Sequence, residues 1–270
     1  MLTGGSRRPG APAVALASTV VFFGVLGLVV VSSPGWPRVR DAFLDAEVFA
    51  AALPDVLRAF AVNVRLFLIA ELLVLVLGLL LAIMRNLPGP VFFPLRLFAV
   101  VYSDVFRGLP GIAVIYVLGF GVPGLRLPGV PRDPFFWALV ALTLLYTAYV
   151  AEVYRAGIES VHPSQEAAAR SLGLTRIQAL RFVIVPQAIR RVIPPLLNDF
   201  IGLQKDSALV SVVGVVEAFR QTQIRAAATF EYTVFLALAL VFLLVTIPLA
   251  RLTDWLVARD RRRQLAGGVR

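Results

Sequence analysis

Several ionisable side chains lie inside long apolar runs, where packing of apolar surfaces alone does not require them. They are Glu71, Asp104, Arg107, Glu152, Asp199, Lys205 and Asp206. A charged side chain at the middle of a bilayer costs about 2.5–3.5 kcal/mol on insertion scales, so these groups should face the protein interior or a water-filled path. Because the set contains both signs of charge, it could bind the carboxylate and the ammonium of a zwitterionic solute. Mutual neutralisation in helix packing is the alternative, and burial alone does not choose between the two.

The run 182–203 is unusual because it contains three prolines, Pro186, Pro194 and Pro195. Each lacks the N–H that would bond to the carbonyl four residues earlier, so the helix should kink or break. Broken helices persist in membranes where protein or a hydrated cavity satisfies the freed backbone groups, although a packing kink alone is the alternative. We predict a polar substrate path beside this run, lined by Asp104, Arg107, Glu152, Asn198, Asp199, Lys205 and Asp206.

The residue types that the sequence lacks exclude several enzyme classes. It has no cysteine, and His162 is the only histidine, so neither a thiolate nor a His-based metal site is predicted. Without a G-x-S-x-G motif, a membrane-embedded hydrolase would lack the usual pairing of nucleophile and base. The only lysine is Lys205, and the residue before it is Gln204, so the sequence contains no G-x-x-x-x-G-K-[ST] loop for ATP. We predict no catalytic residue and no cofactor, and any ATP hydrolysis must come from a partner.

The elements that hold these residues are membrane helices, as the composition shows. Of 270 residues, 59% are hydrophobic, whereas soluble domains run nearer 45–50% apolar. A helix needs about 20 apolar residues to cross roughly 30 Å of hydrocarbon. Six runs meet this need, at 13–31, 60–84, 91–122 with a polar interruption, 135–156, 182–203 and 233–256. The first run could be a signal peptide, but no A-x-A-like cleavage site stands at its end, just before Pro34, which favours an uncleaved helix.

The basic residues predict how the chain is oriented. The net charge of +10 comes from basic residues scattered between the apolar runs and in the two tails, a pattern typical of membrane topology and not of nucleic-acid binding. Since positive charge is retained on the cytoplasmic side, both termini should lie in the cytoplasm. The basic residues that would then be cytoplasmic are Arg7, Arg8, Arg85, Arg170, Arg176, Arg181, Arg259, Arg261, Arg262 and Arg263.

The cytoplasmic stretch that follows the fourth run has the marks of a short surface helix. Ser164 is the expected N-cap, Glu166 lies near the positive end of the helix dipole, and Gly173 supplies a C-terminal stop. So short a helix is marginal alone in water and needs a surface to rest against. The alternative is an interfacial helix that lies on membrane lipid without a protein partner. Its alanine-rich middle favours a close protein groove.

This stretch resembles the EAA motif of permeases from binding-protein-dependent ABC importers, in which Glu-Ala-Ala is followed after three residues by Gly. Gly173 matches that Gly, and Ala168 matches the first alanine. The motif's Glu then falls on Ala167, and Glu166 lies one position early. The resemblance implies that the segment 163–174 couples to an ATPase through Ser164, Gln165, Glu166, Ala167, Ala168 and Gly173.

Further segments resemble the polar amino acid branch of these permeases. The matches are 106–110 with F-R-G-T-P, 148–155 with A-Y-x-A-E-x-x-R, 185–190 with L-P-Q-A-hydrophobic-R, and 205–209 with K-D-T-S-L. Such permeases commonly have a five-helix core. The resemblance therefore implies an all-α membrane protein with about six transmembrane helices, with an importer domain at 58–256. Residues 1–57 would hold the extra helix and an external linker, and 257–270 a basic cytoplasmic tail.

The same resemblance implies a function and a set of partners. We expect the permease subunit of an ATP-driven importer of polar amino acids, in the plasma membrane of a prokaryote. Its partners would be two ATPase subunits, an external substrate-binding protein and a second permease chain, identical or different. The alternatives are a permease for another small polar solute and a secondary transporter. The latter would usually show related halves in its hydropathy, and none is visible.

The predicted topology can be checked directly because the chain has no background thiol. Single cysteines introduced at Ser6 and at Gly268 should react with a membrane-impermeant thiol reagent only from the cytoplasmic side. External labelling of either would overturn the arrangement with both termini inside. A mature chain that starts near Ser33 would show instead that the first run is a signal peptide.

Overall fold

The computed structural model describes residues 11–267, except the side chains of residues 11, 12, 260, 261 and 263–267. All regular secondary structure in this range is helical, which confirms the predicted all-α class. The α-helices are α1 (Ala11–Val31), α2 (Trp36–Phe43), α3 (Ala46–Arg85), α4 (Phe93–Gly108), α5 (Gly111–Tyr116), α6 (Val122–Gly124), α7 (Pro134–Glu159), α8 (Pro163–Ser171), α9 (Arg176–Ala179), α10 (Val185–Asp206), α11 (Ala218–Thr229) and α12 (Thr233–Gly267). Short 3-10 helices cover Pro90–Phe92 and Leu209–Val213, and π-helical turns cover Val117–Gly121 and Leu180–Ile184.

Within the described residues, four helical segments are long and apolar enough to cross a bilayer. They are Ala13–Val31, Trp36–Arg85, Pro134–Glu159 and Thr233–Arg259. The predicted run 91–122 instead forms two segments, Pro90–Gly108 and Gly111–Gly124, which meet at 103° and count as a fifth span if taken together. The run 182–203 is helical, but its charged residues keep it out of this set. All six predicted runs are thus helical, and six spans are compatible with the structure.

The bend between α4 and α5 has a local cause. Leu109 has an extended backbone, and Pro110, which follows it, cannot donate the N–H that a continuous helix would need. The new helix starts with the N–H of Ala113 bonded to the carbonyl of Pro110 at 2.9 Å. The polar interruption expected in this run is therefore a break in the backbone.

Helix α10 continues through two of the three prolines in its sequence. The π-helical turn Leu180–Ile184 precedes Pro186, so the irregular backbone lies before that proline. The helix then continues from Val185 to Asp206 through both Pro194 and Pro195. The sequence predicts that this helix kinks or breaks. The helix does not break at Pro194 or Pro195, and a kink there stays a prediction.

The core is built around α3 and α7, and the second half of α3 packs against α7. One buried cluster joins Leu66 of α3, Leu142 of α7 and Leu203 of α10 with Val213 of the following 3-10 helix. A second cluster joins the first part of α3 to α11 and α12, with Val56 and Val234 among its members. The side chains of α1 from Ala13 onward are all exposed. The predicted boundary between residues 57 and 58 lies within α3, and as a division of the chain it stays a prediction.

Hydrogen bonds and ion pairs show which helix ends lie together. At one end, Arg85 of α3 contacts Glu152 of α7 at 3.0 Å. At the other, the N–H of Tyr232, just before α12, donates to the carbonyl of Ala42 at 3.1 Å, before α3 begins. The starts of α3 and α12 therefore share one side of the molecule, while the ends of α3 and α7 share the other with α8.

Gly157 of α7 sets how closely α10 can approach. A Cβ at this position would come closer to Cγ1 of Val192 than carbon atoms pack, and would lie 3.6 Å from the carbonyl oxygen of Ala188. The absence of a side chain lets the end of α7 lie directly against α10. Helix α8 follows α7 in the chain, and its Gln165 accepts a hydrogen bond from Gln187 near the start of α10.

We expect Gly157→Ala to lower the free energy of unfolding by about 1–3 kcal/mol, because the added methyl group overpacks this contact. Thermal unfolding of the detergent-purified chain measures the effect. Adding Val192→Ala should restore part of the lost stability by making room. Gly27→Ala is the control, since nothing lies within 4 Å of a Cβ there. Equal melting temperatures for Gly157→Ala and Gly27→Ala would contradict this account of the packing.

Candidate functional site

A cavity of about 280 Å³ lies between α7, α10 and the start of α5. Its lining residues are Gly111, Leu145, Tyr146, Tyr149, Asn198, Asp199, Gly202 and Asp206. The tyrosines are three residues apart on α7, and Asn198, Gly202 and Asp206 follow one another at intervals of four on α10, so each set lies on one face of its helix. The cavity is therefore polar on two of its walls.

The two carboxylates of the cavity have different surroundings. The hydroxyl of Tyr146 donates to Oδ2 of Asp206 at 2.8 Å. Oδ2 of Asp199 is buried, and no described residue gives it a hydrogen bond. A buried carboxylate oxygen without a donor is costly, so this atom favours a ligand that brings an ammonium or another N–H group. Among the described residues that line the cavity, none is basic.

Helix α8 is the second candidate site, and His162 caps it. Nδ1 of His162 accepts the backbone N–H of Ser164 at 3.2 Å, and Pro163 occupies the first turn. The prediction that Ser164 is the N-cap is therefore wrong. The imidazole replaces the hydroxyl as acceptor, and Pro163 suits the first helical position because its missing N–H would be unbonded there anyway.

Gly173 ends α8 as the sequence predicts. Its φ is +90°, the left-handed conformation that a residue with a side chain adopts reluctantly. The N–H of Leu174 donates to the carbonyl of Ala169 at 3.3 Å, and the N–H of Gly173 donates to that of Arg170 at 3.0 Å. These two bonds form a Schellman motif, which turns the chain sharply away from the helix axis.

The two faces of α8 differ in what they contact. Ala169 is buried against the protein, whereas Ala167 and Ala168 are exposed. Glu166 is half-buried, with Oε1 3.9 Å from Nε of Arg176. The side-chain amide of Gln187 donates to Oε1 of Gln165 at 3.3 Å. The helix therefore rests on α9 and on the π-helical turn Leu180–Ile184, with one hydrogen bond to α10, and presents two small side chains outward.

Most of the sequence matches a known protein family. The family described as "Binding-protein-dependent transport system inner membrane component" matches residues 74–262, well over half of the sequence. The chain belongs to this family. The predicted membership is thereby confirmed, and the secondary-transporter alternative is not favoured.

The chain aligns with most of the length of two permease relatives. It is 33% identical over 212 residues to the probable amino-acid permease protein YxeN of Bacillus subtilis, which is 78% of this chain and 93% of the relative. It is 40% identical over 187 residues to the probable glutamine ABC transporter permease protein GlnM of the same organism, covering 68% and 83%.

Solved structures share its fold. A crystal structure of an amino acid ABC transporter with histidines matches with 31% identity and a TM-score of 0.72, covering 80% of this chain and 98% of that chain. The inward-facing MetNI methionine ABC transporter matches with 19% identity and a TM-score of 0.58, which supports the fold alone.

The remaining residues that the sequence predicts for the path lie outside the cavity. Glu152 lies in an ion-pair cluster, where its carboxylate contacts Arg85 at 3.0 Å, Arg107 at 3.7 Å, and also Arg155. Asp104 and Lys205 are exposed. Of the seven predicted path residues, the cavity thus brings together Asn198, Asp199 and Asp206. The cluster around Glu152 has the contacts that mutual neutralisation would give.

Sequence reasoning missed the tyrosines of the cavity and the arginine partners of Glu152. Tyr149 belongs to a segment with a family resemblance, but it was given no role, and Tyr146 lies just before it. Their spacing of three residues on an apolar helix, opposite the polar face of α10, is a signal that could have found them. Arg155 lies three residues after Glu152, the spacing of a helical ion pair, and could have been found in the same way.

Replacing Glu152 by Gln should lower the free energy of unfolding by about 1–3 kcal/mol, between the values for exposed and buried pairs, because three guanidinium groups lose their shared counter-charge. Glu159→Gln is the matched control, since that carboxylate also pairs with Arg155 but is 52% exposed, against 22% for Glu152. Melting temperatures in detergent measure both. A larger loss for Glu159→Gln would contradict the cluster's structural role.

Proposed function

We propose that this chain is the permease subunit of an ATP-driven importer of polar amino acids, which forms the substrate path and couples to a separate ATPase. The observation that carries the proposal is the match to a solved amino acid ABC transporter, at 31% identity over 98% of that chain. Relatives named for amino acids, glutamine and arginine support the same solute class.

The cavity between α7 and α10 is the proposed amino acid site. Asp199 and Asp206 suit the ammonium of the solute, and the hydroxyls of Tyr146 and Tyr149 can donate to or accept from its polar groups. The carboxylate of the solute needs a cation or N–H donors from outside the lining residues. Lys205, which follows Gln204 and precedes Asp206, is the nearest basic residue in the sequence. Asp104, Arg107 and Glu152 stay predicted members of the path.

Helix α8 is the proposed coupling element. Its exposed face carries Ala167 and Ala168, small enough to enter a groove on a partner, while its buried face rests on α9 and on the π-helical turn Leu180–Ile184. Force on this helix would reach α10, which lines the cavity, through the contact with Gln187 and the Gly157 packing site. Each ATPase subunit would dock on one such helix. A second permease chain, identical or different, and an external binding protein complete the assembly.

The proposed topology places both termini in the cytoplasm of a prokaryote. The end of α3 at Arg85 lies on the same side as α8, as cytoplasmic docking of an ATPase requires. The starts of α3 and α12, with α11, would then face outward, where an external binding protein delivers its solute.

Coupling can be separated from folding by substitutions on α8. Gly173→Val should reduce substrate-stimulated ATP hydrolysis in reconstituted vesicles at least about tenfold, because a β-branched residue resists positive φ and would redirect the exit from the helix. Ala168→Asp should act likewise, by adding charge and volume to a close contact.

Gly129→Val is the control for these variants, since Gly129 also has positive φ in open space but lies in the loop between α6 and α7. Normal ATPase docking and stimulation in both α8 variants would rule out the coupling role. Glu166 lies one position before the place of the motif's Glu, and this allows a finer comparison. If its carboxylate contacts the ATPase, Glu166→Ala should weaken assembly, and adding Ala167→Glu should partly restore it.

Uptake into vesicles that contain the chain, its copurified ATPase and its binding protein tests the function as a whole. ATP on the side of the membrane where the ATPase is bound should drive accumulation of radiolabelled polar amino acids. Asp199→Asn should reduce this accumulation at least about tenfold, because a neutral amide replaces the carboxylate that would pair with the ammonium. Asp254→Asn, on the exposed end of α12, is the control. Uptake driven by an ion gradient without ATPase would establish the secondary transporter, and uptake of another polar solute alone would establish the other alternative.

A further inference from the structure

Three polar side chains form a buried network at the outer end of α10. Asn63 is 1% exposed, and Ser207 and Glu217 are both 0% exposed. Nδ2 of Asn63 donates to Oγ of Ser207 at 3.1 Å and to Oε2 of Glu217 at 2.8 Å. The network thus joins the middle of α3, the C-terminal cap of α10 and the N-terminal cap of α11.

Each of these side chains uses its hydrogen-bonding capacity. Oδ1 of Asn63 accepts the N–H of Ala218 at 3.0 Å. The Glu217 carboxylate accepts the N–H groups of Phe219 and Arg220 at 2.9 and 2.8 Å. Buried polar groups that are fully satisfied hold one rotamer each, since any other leaves a donor or an acceptor without a partner. The network therefore fixes the position of Ser207.

Ser207 is joined directly to the cavity. It follows Asp206, and its hydroxyl donates to the carbonyl of Gln204 at 2.7 Å, which closes the last turn of α10. Asp206 in turn accepts the hydroxyl of Tyr146 across the cavity. A shift of Ser207 would move the Asp206 carboxylate relative to Tyr146 and Asp199.

We propose that Asn63 and Glu217 are positioning residues for the amino acid cavity, acting through Ser207 on the carboxylate of Asp206. This inference rests on the proposed function. Neither side chain lines the cavity, so neither touches the solute. Their effect on binding comes from where they hold Asp206.

The experiment measures binding of radiolabelled glutamine and arginine to the detergent-purified complex, together with its melting temperature. Asn63→Leu and Glu217→Gln should each weaken binding at least about tenfold, since small misplacement of a binding group has large effects. Thr222→Val is the control for a buried hydroxyl of α11 whose bond stays within that helix.

A double-mutant cycle with Asp206→Asn separates positioning from plain stability. If Asn63 acts through Asp206, the two substitutions together should weaken binding little more than Asp206→Asn alone. Binding by Asn63→Leu and Glu217→Gln that matches the wild type, or effects that multiply fully with Asp206→Asn, would overturn the inference and leave the proposed function standing. A wild-type complex that binds neither amino acid would overturn the proposed function and the inference with it.

Discussion

A polar side chain inside a bilayer has no water to bond with, so its partners must come from the protein or from a solute. The described structure has three groups of charged and polar side chains in or beside its long helices: the ion-pair cluster around Glu152, the network around Asn63, and the cavity beside Asp199. The first two are satisfied by protein groups alone. The buried side-chain atoms without a partner among the described residues belong to Thr143, Thr147, Gln204 and Asp199, and Oδ2 of Asp199 is the one carboxylate oxygen among them. That oxygen supports the proposal that the cavity is the place for a ligand.

The same constraint connects the cavity to the surface. Helix α10 lines the cavity at one end and supports α8 at the other, and its position is set by Gly157 on one side and by the Asn63 network on the other. Prolines inside α10 remove backbone donors, yet the helix persists because packing on α7 and α12 holds it. A rigid element of this kind can transmit displacement between a surface helix and a buried site, which is what an importer driven by a separate ATPase requires.

The lengths of the apolar runs predicted six helical segments, but not α2, α11 or the start of α3 at Ala46. The Gly173 stop followed from the positive φ that such an ending requires. The bend at Pro110 was visible only as a polar interruption. Ser164 is the expected N-cap of α8 because hydroxyl side chains cap helices more often than imidazoles do. His162 also has an acceptor within reach of the N–H of Ser164, and it takes that position in the structure. The pairing of Glu152 with Arg85 and Arg107 joins three helices, and no spacing within one sequence segment shows which of them will pack together. The same limit hid Asn63 and Glu217.

The central claim is that water and an amino acid reach the cavity between α7 and α10. Since the chain has no cysteine, Asn198→Cys provides a single thiol in the lining, and its reaction rate with a water-soluble thiol reagent can be measured in the assembled complex with and without glutamine or arginine. The account predicts ready labelling that a bound amino acid slows, while Phe98→Cys, on the exposed apolar face of α4, is unaffected by the amino acid. A thiol at residue 198 that does not react, or that reacts at the same rate with and without the amino acid that the complex transports, would contradict it.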